Sequence, residues 1–213
     1  NRLALQSDLL SAAALEIENV LIITGDHPSL GDHPQAKPVF DLDSVQLLQA
    51  ARGLESGQDM NGNKLEGKPP RFCLGAAVNP GADPLEPQIM KMDKKVEAGA
   101  EFFQTQAVFE IKTFENFISK IKHIKIPIIA GIVLLKSAAM ANYMNKNVPG
   151  IYVPEDLIKE MEMSKDKVAA SIGIASRLIK ELKPICQGIH IMSIGWEKIV
   201  PSVLEASGLL PTQ

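Results

Sequence analysis

The segment NVLIITGD, residues 19–26, places polar residues directly after a short apolar run. An apolar run without polar alternation is typical of a strand that is covered on both faces in a parallel sheet. The chain contains five such runs, and we predict strands at residues 19–24, 72–78, 101–109, 127–134 and 188–194. Amphipathic segments with helical periodicity separate the runs. The chain therefore alternates strand and helix, which indicates a parallel α/β fold.

Polar residues recur where the predicted strands end. They are Thr24, Gly25, Asp26, Asn79, Thr105, Gln106 and Ser193. A closed barrel with its active site at the carboxyl ends of the strands has this distribution, and an open doubly wound sheet is the competing architecture. We therefore predict a (β/α)8 TIM barrel. Because such a barrel typically needs about 250 residues, a chain of 213 residues with five strands indicates an incomplete barrel that covers roughly strands 4 to 8.

The chain begins inside an amphipathic helix, for which we expect no N-cap. The apolar face of this helix carries Leu3, Leu10, Ala14 and Ile17. We predict a single domain over residues 1–213 that starts in the helix before strand 4 and lacks the N-terminal part of the barrel. Such a piece would expose two sheet edges and an apolar interior, so we expect it to fold poorly alone.

Capping residues predict three further helix starts. Asp43 and Gln46 have the spacing of a capping box, and Thr113 and Ser164 stand before two segments with apolar residues at helical spacing. These starts support the alternation of strands and helices.

Composition and charge argue against several functional classes. A formal net charge of -3 provides no basic field for nucleic acid. The longest apolar stretch, residues 126–135, is too short to cross a bilayer core of about 30 Å, and we see no leader pattern. Cys73 and Cys186 lie far apart beside apolar runs, so we expect reduced, buried thiols. The sequence indicates a cytoplasmic protein.

Three loop motifs carry weaker signals. Residues 62–68 resemble a phosphate-binding loop, but Pro69 stands where a hydroxyl is required, and residues 59–64 lack the glycine of a calcium loop. The sequence Gly-Asp-His-Pro occurs twice in residues 25–34. With no further Cys or His nearby, a loop shaped by Pro and Gly is favoured over a metal site. We predict no metal.

Several segments, in order and at strand-to-strand spacing, resemble the methylenetetrahydrofolate reductase family. They are residues 24–28 with 39–44, 75–80, 95–100 with 105–106, 127–132, and 188–192. The last strands, together with residues 148–151, are most similar to the clostridial and archaeal-type members. Each segment is a weak signal alone, and their common order makes a chance match improbable.

The resemblance implies a flavoprotein oxidoreductase of one-carbon metabolism and methionine biosynthesis. It implies hydride transfer through FAD from NAD(P)H, or another donor, to 5,10-methylenetetrahydrofolate, giving 5-methyltetrahydrofolate. A homo-oligomer or a partner subunit is expected. The alternative is a non-catalytic subunit that binds flavin or pterin and needs a partner chain, and a pterin-dependent methyltransferase barrel is a more distant rival.

The resemblance also assigns site residues. Asp26 and Gln106 match the family's catalytic and substrate-binding positions, where the carboxylate would affect the flavin potential and the amide would meet nicotinamide and pterin in turn. The implied cofactor-binding residues are Thr24, Gly25, Asp26, Ala77, Asn79, Lys94 and Lys95. The backbone at the first two would approach the flavin, and the lysine pair would meet the FAD phosphates.

The chain departs from the pattern of bacterial NADH-using members at two positions. Ala138 stands where those members have a phenylalanine that covers the substrate, and Trp196 replaces an arginine that meets the folate tail. The family's general acid is a glutamate on the first strand, and we find no counterpart among these residues. We therefore expect this piece alone to be inactive.

Overall fold

The computed structural model describes residues 1–210, in which helices separate consecutive strands, with three helices between the last two strands. The strands are β1 (Asn19–Ile22), β2 (Cys73–Val78), β3 (Phe102–Ala107), β4 (Ile128–Val133) and β5 (Gly188–Met192). The helices are α1 (Arg2–Ala14), α2 (Ser44–Glu55), α3 (Glu86–Glu97), α4 (Ile111–Lys120), α5 (Ala138–Asn147), α6 (Glu155–Met163), α7 (Lys167–Leu182) and α8 (Val200–Ser207). No helix in the described part of the chain is both long and apolar enough to span a membrane.

The described chain groups into two compact units. The first contains residues 1–77 and 90–102, and the second contains residues 78–89 and the chain from 103 onward. In the first unit β1 pairs with β2 in parallel. In the second unit β4 lies between β3 and β5, and both pairings are parallel. The predicted single domain over 1–213 stays a prediction, and its last three residues lie outside the described part.

All five predicted strands form, and the parallel α/β class is confirmed. Each strand ends earlier than, or together with, the apolar run that predicted it, so residues such as Thr24 lie in the loop that follows. Neighbouring strands within each unit also follow one another in sequence, as a β/α barrel requires. The fold is thus consistent with an incomplete TIM barrel, and the numbering of the strands as 4 to 8 stays a prediction.

Apolar helix faces form the core of each unit. In the first unit α2 buries Leu48, Ala51 and Leu54 completely. In the second unit α4 buries Phe114 and Phe117 in the same way. Within each helix these residues recur at three-residue spacing, which puts them on one side of the helix.

The capping box at the start of α2 is confirmed. Asp43 Oδ1 accepts a hydrogen bond from the Gln46 amide at 2.9 Å, and Gln46 Oε1 accepts one from the Asp43 amide at 3.0 Å. This closed pair satisfies backbone donors that an open helix end would leave without partners. The start of α2 is therefore held firmly where the chain leaves the loop after β1.

Other cap predictions were wrong. Helix α1 is capped, because Asn1 Oδ1 accepts a hydrogen bond from the Ala4 amide at 3.0 Å. Helix α4 starts at Ile111, so Thr113 lies within its first turn. Helix α7 takes Asp166 as its cap, and Ser164 instead ends α6. Several residues could cap each of these helices, and packing selects which one does.

The apolar face predicted for α1 is largely exposed. Leu3 is 76% exposed and Ile17 is 46% exposed, whereas Leu9 is buried. The two cysteines, Cys73 and Cys186, are free thiols, as expected, but each is half-buried where full burial was predicted. Desolvation raises the pKa of both thiols.

Candidate functional site

The carboxyl ends of β1 and β2 bring several predicted site residues to one edge of the first unit. Ile22, the last residue of β1, pairs with Ala76 of β2, so the loop that carries residues 24–26 begins next to Ala77. Thr24, Gly25 and Asp26 are all exposed there. A Cβ atom at Gly25 would meet no atom within 4 Å, so the space beside this loop is open. The φ angle of +80° at Gly25 is one that glycine adopts readily.

Thr24 connects this loop to α2 through a side-chain hydrogen bond. Its hydroxyl oxygen accepts a hydrogen bond from the amide of Ser44, the first residue of α2, at 3.3 Å. The side chain therefore contributes to the shape of the loop, while the backbone of Thr24 and Gly25 remains at the open edge. The contact of that backbone with a flavin stays a prediction.

The two neighbouring lysines of α3 have opposite environments. Lys94 is exposed, whereas Lys95 is buried and its Nζ donates a hydrogen bond to the carbonyl of Ala77 at 2.6 Å. Lys95 shares the inner side of α3 with the buried Met92. Desolvation lowers the pKa of Lys95 to about 8, assisted by Lys91. The side chain of Lys94 therefore lies in solvent, as is usual for lysines on a helix, whereas that of Lys95 does not.

In the second unit, Gln106 lies at the end of β3. Its neighbours Thr105 and Ala107 are buried, whereas Gln106 is exposed. Thr105 Oγ1 accepts a hydrogen bond from the Gly131 amide at 3.0 Å and donates one to the Gln106 carbonyl at 2.7 Å. The backbone of Gln106 is thus held while its side-chain amide is available. Asp26 and Gln106 belong to different units, and their convergence on one ligand stays a prediction.

Asn79 holds two loops together. Its Nδ2 donates a hydrogen bond to the Pro149 carbonyl at 3.1 Å, and its Oδ1 accepts one from the Gly81 amide at 3.1 Å. A Cβ at Gly150 would lie 2.0 Å from Asn79 Nδ2, so the contact requires glycine there. A cavity of about 300 Å³ is lined by both glycines and by residues 107–110. Asn79 therefore fixes the two loops that line this cavity, and its direct contact with a cofactor stays a prediction.

A polar cluster after β5 was only partly anticipated. Ser193 Oγ donates a hydrogen bond to Glu197 Oε1 at 2.6 Å, and the Gly195 amide donates to the same oxygen at 3.0 Å. The hydrogen bond from Ser193 is the main reason that the pKa of Glu197 is lowered. Beside it, Lys136 Nζ lies 5.7 Å from the ring centre of Trp196. Sequence reasoning missed Lys136, although its place two residues after the predicted strand 127–134 was an available signal.

Within residues 1–210 no group of three or more His, Cys, Asp or Glu side chains is arranged to hold a metal ion. The donors of the repeated loop at residues 25–34 are exposed. His190, in β5, is half-buried, and desolvation lowers its pKa.

Comparisons with known proteins agree with the resemblance seen in the sequence. Residues 1–208 match the family model described as methylenetetrahydrofolate reductase. Methylenetetrahydrofolate reductase 2 of Schizosaccharomyces pombe is 28% identical over 95% of this chain and 33% of its own length. A probable methylenetetrahydrofolate reductase (NADPH) of Caenorhabditis elegans is 25% identical over 94% of this chain and 30% of its own. The chain thus spans about a third of these relatives.

A solved structure has a similar fold. It is an uncharacterized protein from Clostridium thermocellum that binds two copies of 5-methyl-5,6,7,8-tetrahydrofolic acid. The TM-score is 0.51 at 19% identity, and the match covers 89% of this chain and 69% of that one. The likeness supports the α/β fold described above. With its match to the family model over residues 1–208, the chain belongs to the methylenetetrahydrofolate reductase family.

Proposed function

We propose that the protein containing this chain reduces 5,10-methylenetetrahydrofolate to 5-methyltetrahydrofolate by hydride transfer through FAD. Membership of the family supports the folate substrate. The observation that carries the flavin part is the buried ammonium of Lys95, which binds the Ala77 carbonyl of β2 next to the residue that pairs with the end of β1. An ammonium placed in this way at a strand end is suited to a phosphate-containing cofactor.

The residues of this edge fit FAD. The ammonium of Lys95 uses one donor for the Ala77 carbonyl, and an ammonium has three donors, so it can also bind phosphate oxygens. Lys94 adds a second positive charge on the same helix. The open space beside Gly25 allows a flat ring to approach the backbone. We assign the phosphates to the lysine pair, and the isoalloxazine ring to the loop of residues 24–26.

FAD, when bound, supplies hydride transfer between the reductant and the folate. The chain's own side chains then orient the ligands. The exposed carboxylate of Asp26 accepts hydrogen bonds from N–H groups of the pterin, and its charge disfavours further negative charge nearby. The exposed amide of Gln106 both donates and accepts, so it suits two ligands that occupy the site in turn.

Lys136 is assigned to the folate tail. The family arginine that meets the glutamate tail is replaced by Trp196, and the ammonium of Lys136 lies 5.7 Å from the centre of the Trp196 ring. A lysine can pair with a carboxylate as a point charge, and an indole presents a flat surface to an aromatic group. The donor is NAD(P)H or another reductant, and a second copy or a partner subunit completes the assembly.

The experiment uses the full-length protein that contains this chain. Denaturation is expected to release a yellow flavin, and anaerobic addition of 5-methyltetrahydrofolate to the native protein is expected to bleach the flavin absorbance. A cofactor-free protein contradicts the proposal. Flavin that is present but stays oxidised with 5-methyltetrahydrofolate supports the alternative of a non-catalytic flavin- or pterin-binding subunit.

Two variants test the role assigned to Asp26. Asp26→Asn removes the proposed carboxylate and is expected to slow flavin reduction by roughly 100- to 1,000-fold, the range for loss of one preorganised electrostatic group. Asp32→Asn is the matched control, because Asp32 is exposed in the repeated Gly-Asp-His-Pro motif of the same loop. Equal rates for the two variants contradict the role assigned to Asp26.

A further inference from the structure

The pairing of β3 with β4 contains one extra residue on the β3 side. Gln104 pairs with Ile129, and the next pair is Ala107 with Gly131. Three steps along β3 therefore correspond to two steps along β4. This is a β-bulge, a feature that redirects side chains and is common beside active sites. The residues inside the bulge are Thr105 and Gln106.

The hydroxyl of Thr105 closes the bulge. It accepts a hydrogen bond from the Gly131 amide at 3.0 Å, which a backbone carbonyl would accept in a regular ladder. It also donates to the Gln106 carbonyl at 2.7 Å. Thr105 is 5% exposed, so the Gly131 amide would have no water to replace this hydroxyl. The side chain of Thr105 thus sets the backbone position of Gln106.

Gly131 provides the space that the bulge needs. A Cβ at this position would lie 2.5 Å from the Thr105 carbonyl oxygen and 3.0 Å from the Gln106 carbonyl oxygen. Both atoms are backbone, so neither can move without moving β3. On the other side of the bulge, the Val108 amide donates a hydrogen bond to the Gly131 carbonyl at 2.9 Å, just after β3 ends at Ala107. The bulge is therefore held on both sides.

From this geometry we propose that Thr105 is a positioning residue, whose hydroxyl directs the side-chain amide of Gln106 toward the pterin. The inference rests on the proposed function, because it requires Gln106 to contact the ligand. Thr105 itself is buried. Its effect on folate binding passes through the Gln106 backbone, so removal of the Gln106 amide should abolish that effect.

The test is a double-mutant cycle on the full-length protein, with 5-methyltetrahydrofolate as the probe. Thr105→Val keeps the shape of the side chain and removes the hydroxyl, and it is expected to weaken binding about tenfold, the scale of one lost hydrogen bond. Gln106→Ala is expected to weaken binding by a similar factor. The double variant should bind as weakly as Gln106→Ala and no weaker, because Thr105 acts only through Gln106.

A second pair of variants distinguishes loss of the Thr105 hydroxyl from misfolding. Thr105→Ser and Thr105→Cys introduce side chains of nearly the same size. Serine keeps a hydroxyl, whereas cysteine has a thiol, which is the weaker hydrogen-bonding group. The serine variant is expected to bind within about twofold of the parent, and the cysteine variant about tenfold more weakly. Flavin content and thermal midpoint, measured for every variant, report on the fold. Equal binding by these two variants overturns the inference.

The outcomes separate the inference from the function on which it rests. If Gln106→Ala binds the folate as well as the parent does, the substrate role of Gln106 is wrong and the inference falls with it. If Gln106→Ala weakens folate binding, but the double variant loses affinity by the product of the two single losses, the role of Gln106 stands. The positioning role of Thr105 is then overturned.

Discussion

The pH dependence of flavin binding tests the role of the buried Lys95. Its pKa is lowered from 10.5 to about 8, mainly because burial penalises the charged form. The folded protein therefore loses this proton as the pH rises through about 8, whereas a solvated lysine keeps its charge beyond pH 10. If Lys95 binds the FAD phosphates as an ammonium, flavin affinity should fall in a pH range where ordinary lysines are unchanged.

The size of the effect follows from the pKa. At pH 9, one unit above about 8, roughly a tenth of the Lys95 side chains keep their proton. A site that requires the ammonium should then bind FAD about tenfold more weakly than at pH 7. The stability of the flavin-free protein should change in the opposite direction. Between about 8 and 10.5 the unfolded chain binds more protons at this lysine, so the folded state gains stability as the pH rises.

The assay is a fluorescence titration of FAD into the flavin-free, full-length protein at pH 7, 8 and 9. Lys95→Met is expected to bind FAD weakly, with little change across this range. Lys94→Met is the matched comparison, since it removes an exposed charge from the same helix and should lower affinity while keeping the pH dependence. An affinity that is constant from pH 7 to 9 in the parent protein, or identical behaviour of the two variants, refutes the reasoning.

Two further predictions concern the scaffold of the first unit and use urea unfolding of the full-length protein. Gly75→Ala is expected to lower the free energy of unfolding by about 1–3 kcal/mol, because a Cβ there would lie 2.2 Å from Cζ of Phe102. Phe102→Leu in the same chain should recover most of this loss, and an unchanged Gly75→Ala protein contradicts the packing argument. Asp43→Ala should cost about 1 kcal/mol by opening the capping box of α2. Asp32→Ala, in an exposed loop, is the control, and an equal loss there would show that the cap contributes nothing.

The sequence by itself determined the strands and the family. A strand that is covered on both faces is largely apolar, so the apolar run at residues 127–134 identified β4 without knowledge of its partners. The family could also be recognised from the sequence alone, because its short segments keep their order along the chain. The capping box of Asp43 and Gln46 was predictable as well, since both residues belong to one turn.

Tertiary structure alone decided how the site residues are used. Lys94 and Lys95 are alike in sequence, but about 100° of rotation per residue around the helix axis places one in solvent and the other against β2. Asn79 donates a hydrogen bond to the carbonyl of Pro149, 70 positions away, and the Thr105 hydroxyl accepts one from the amide of Gly131, 26 positions away. Local patterns carry no information on such contacts, because they depend on where packed elements meet. Sequence therefore identifies the chemical groups, and packing sets their burial, charge and direction.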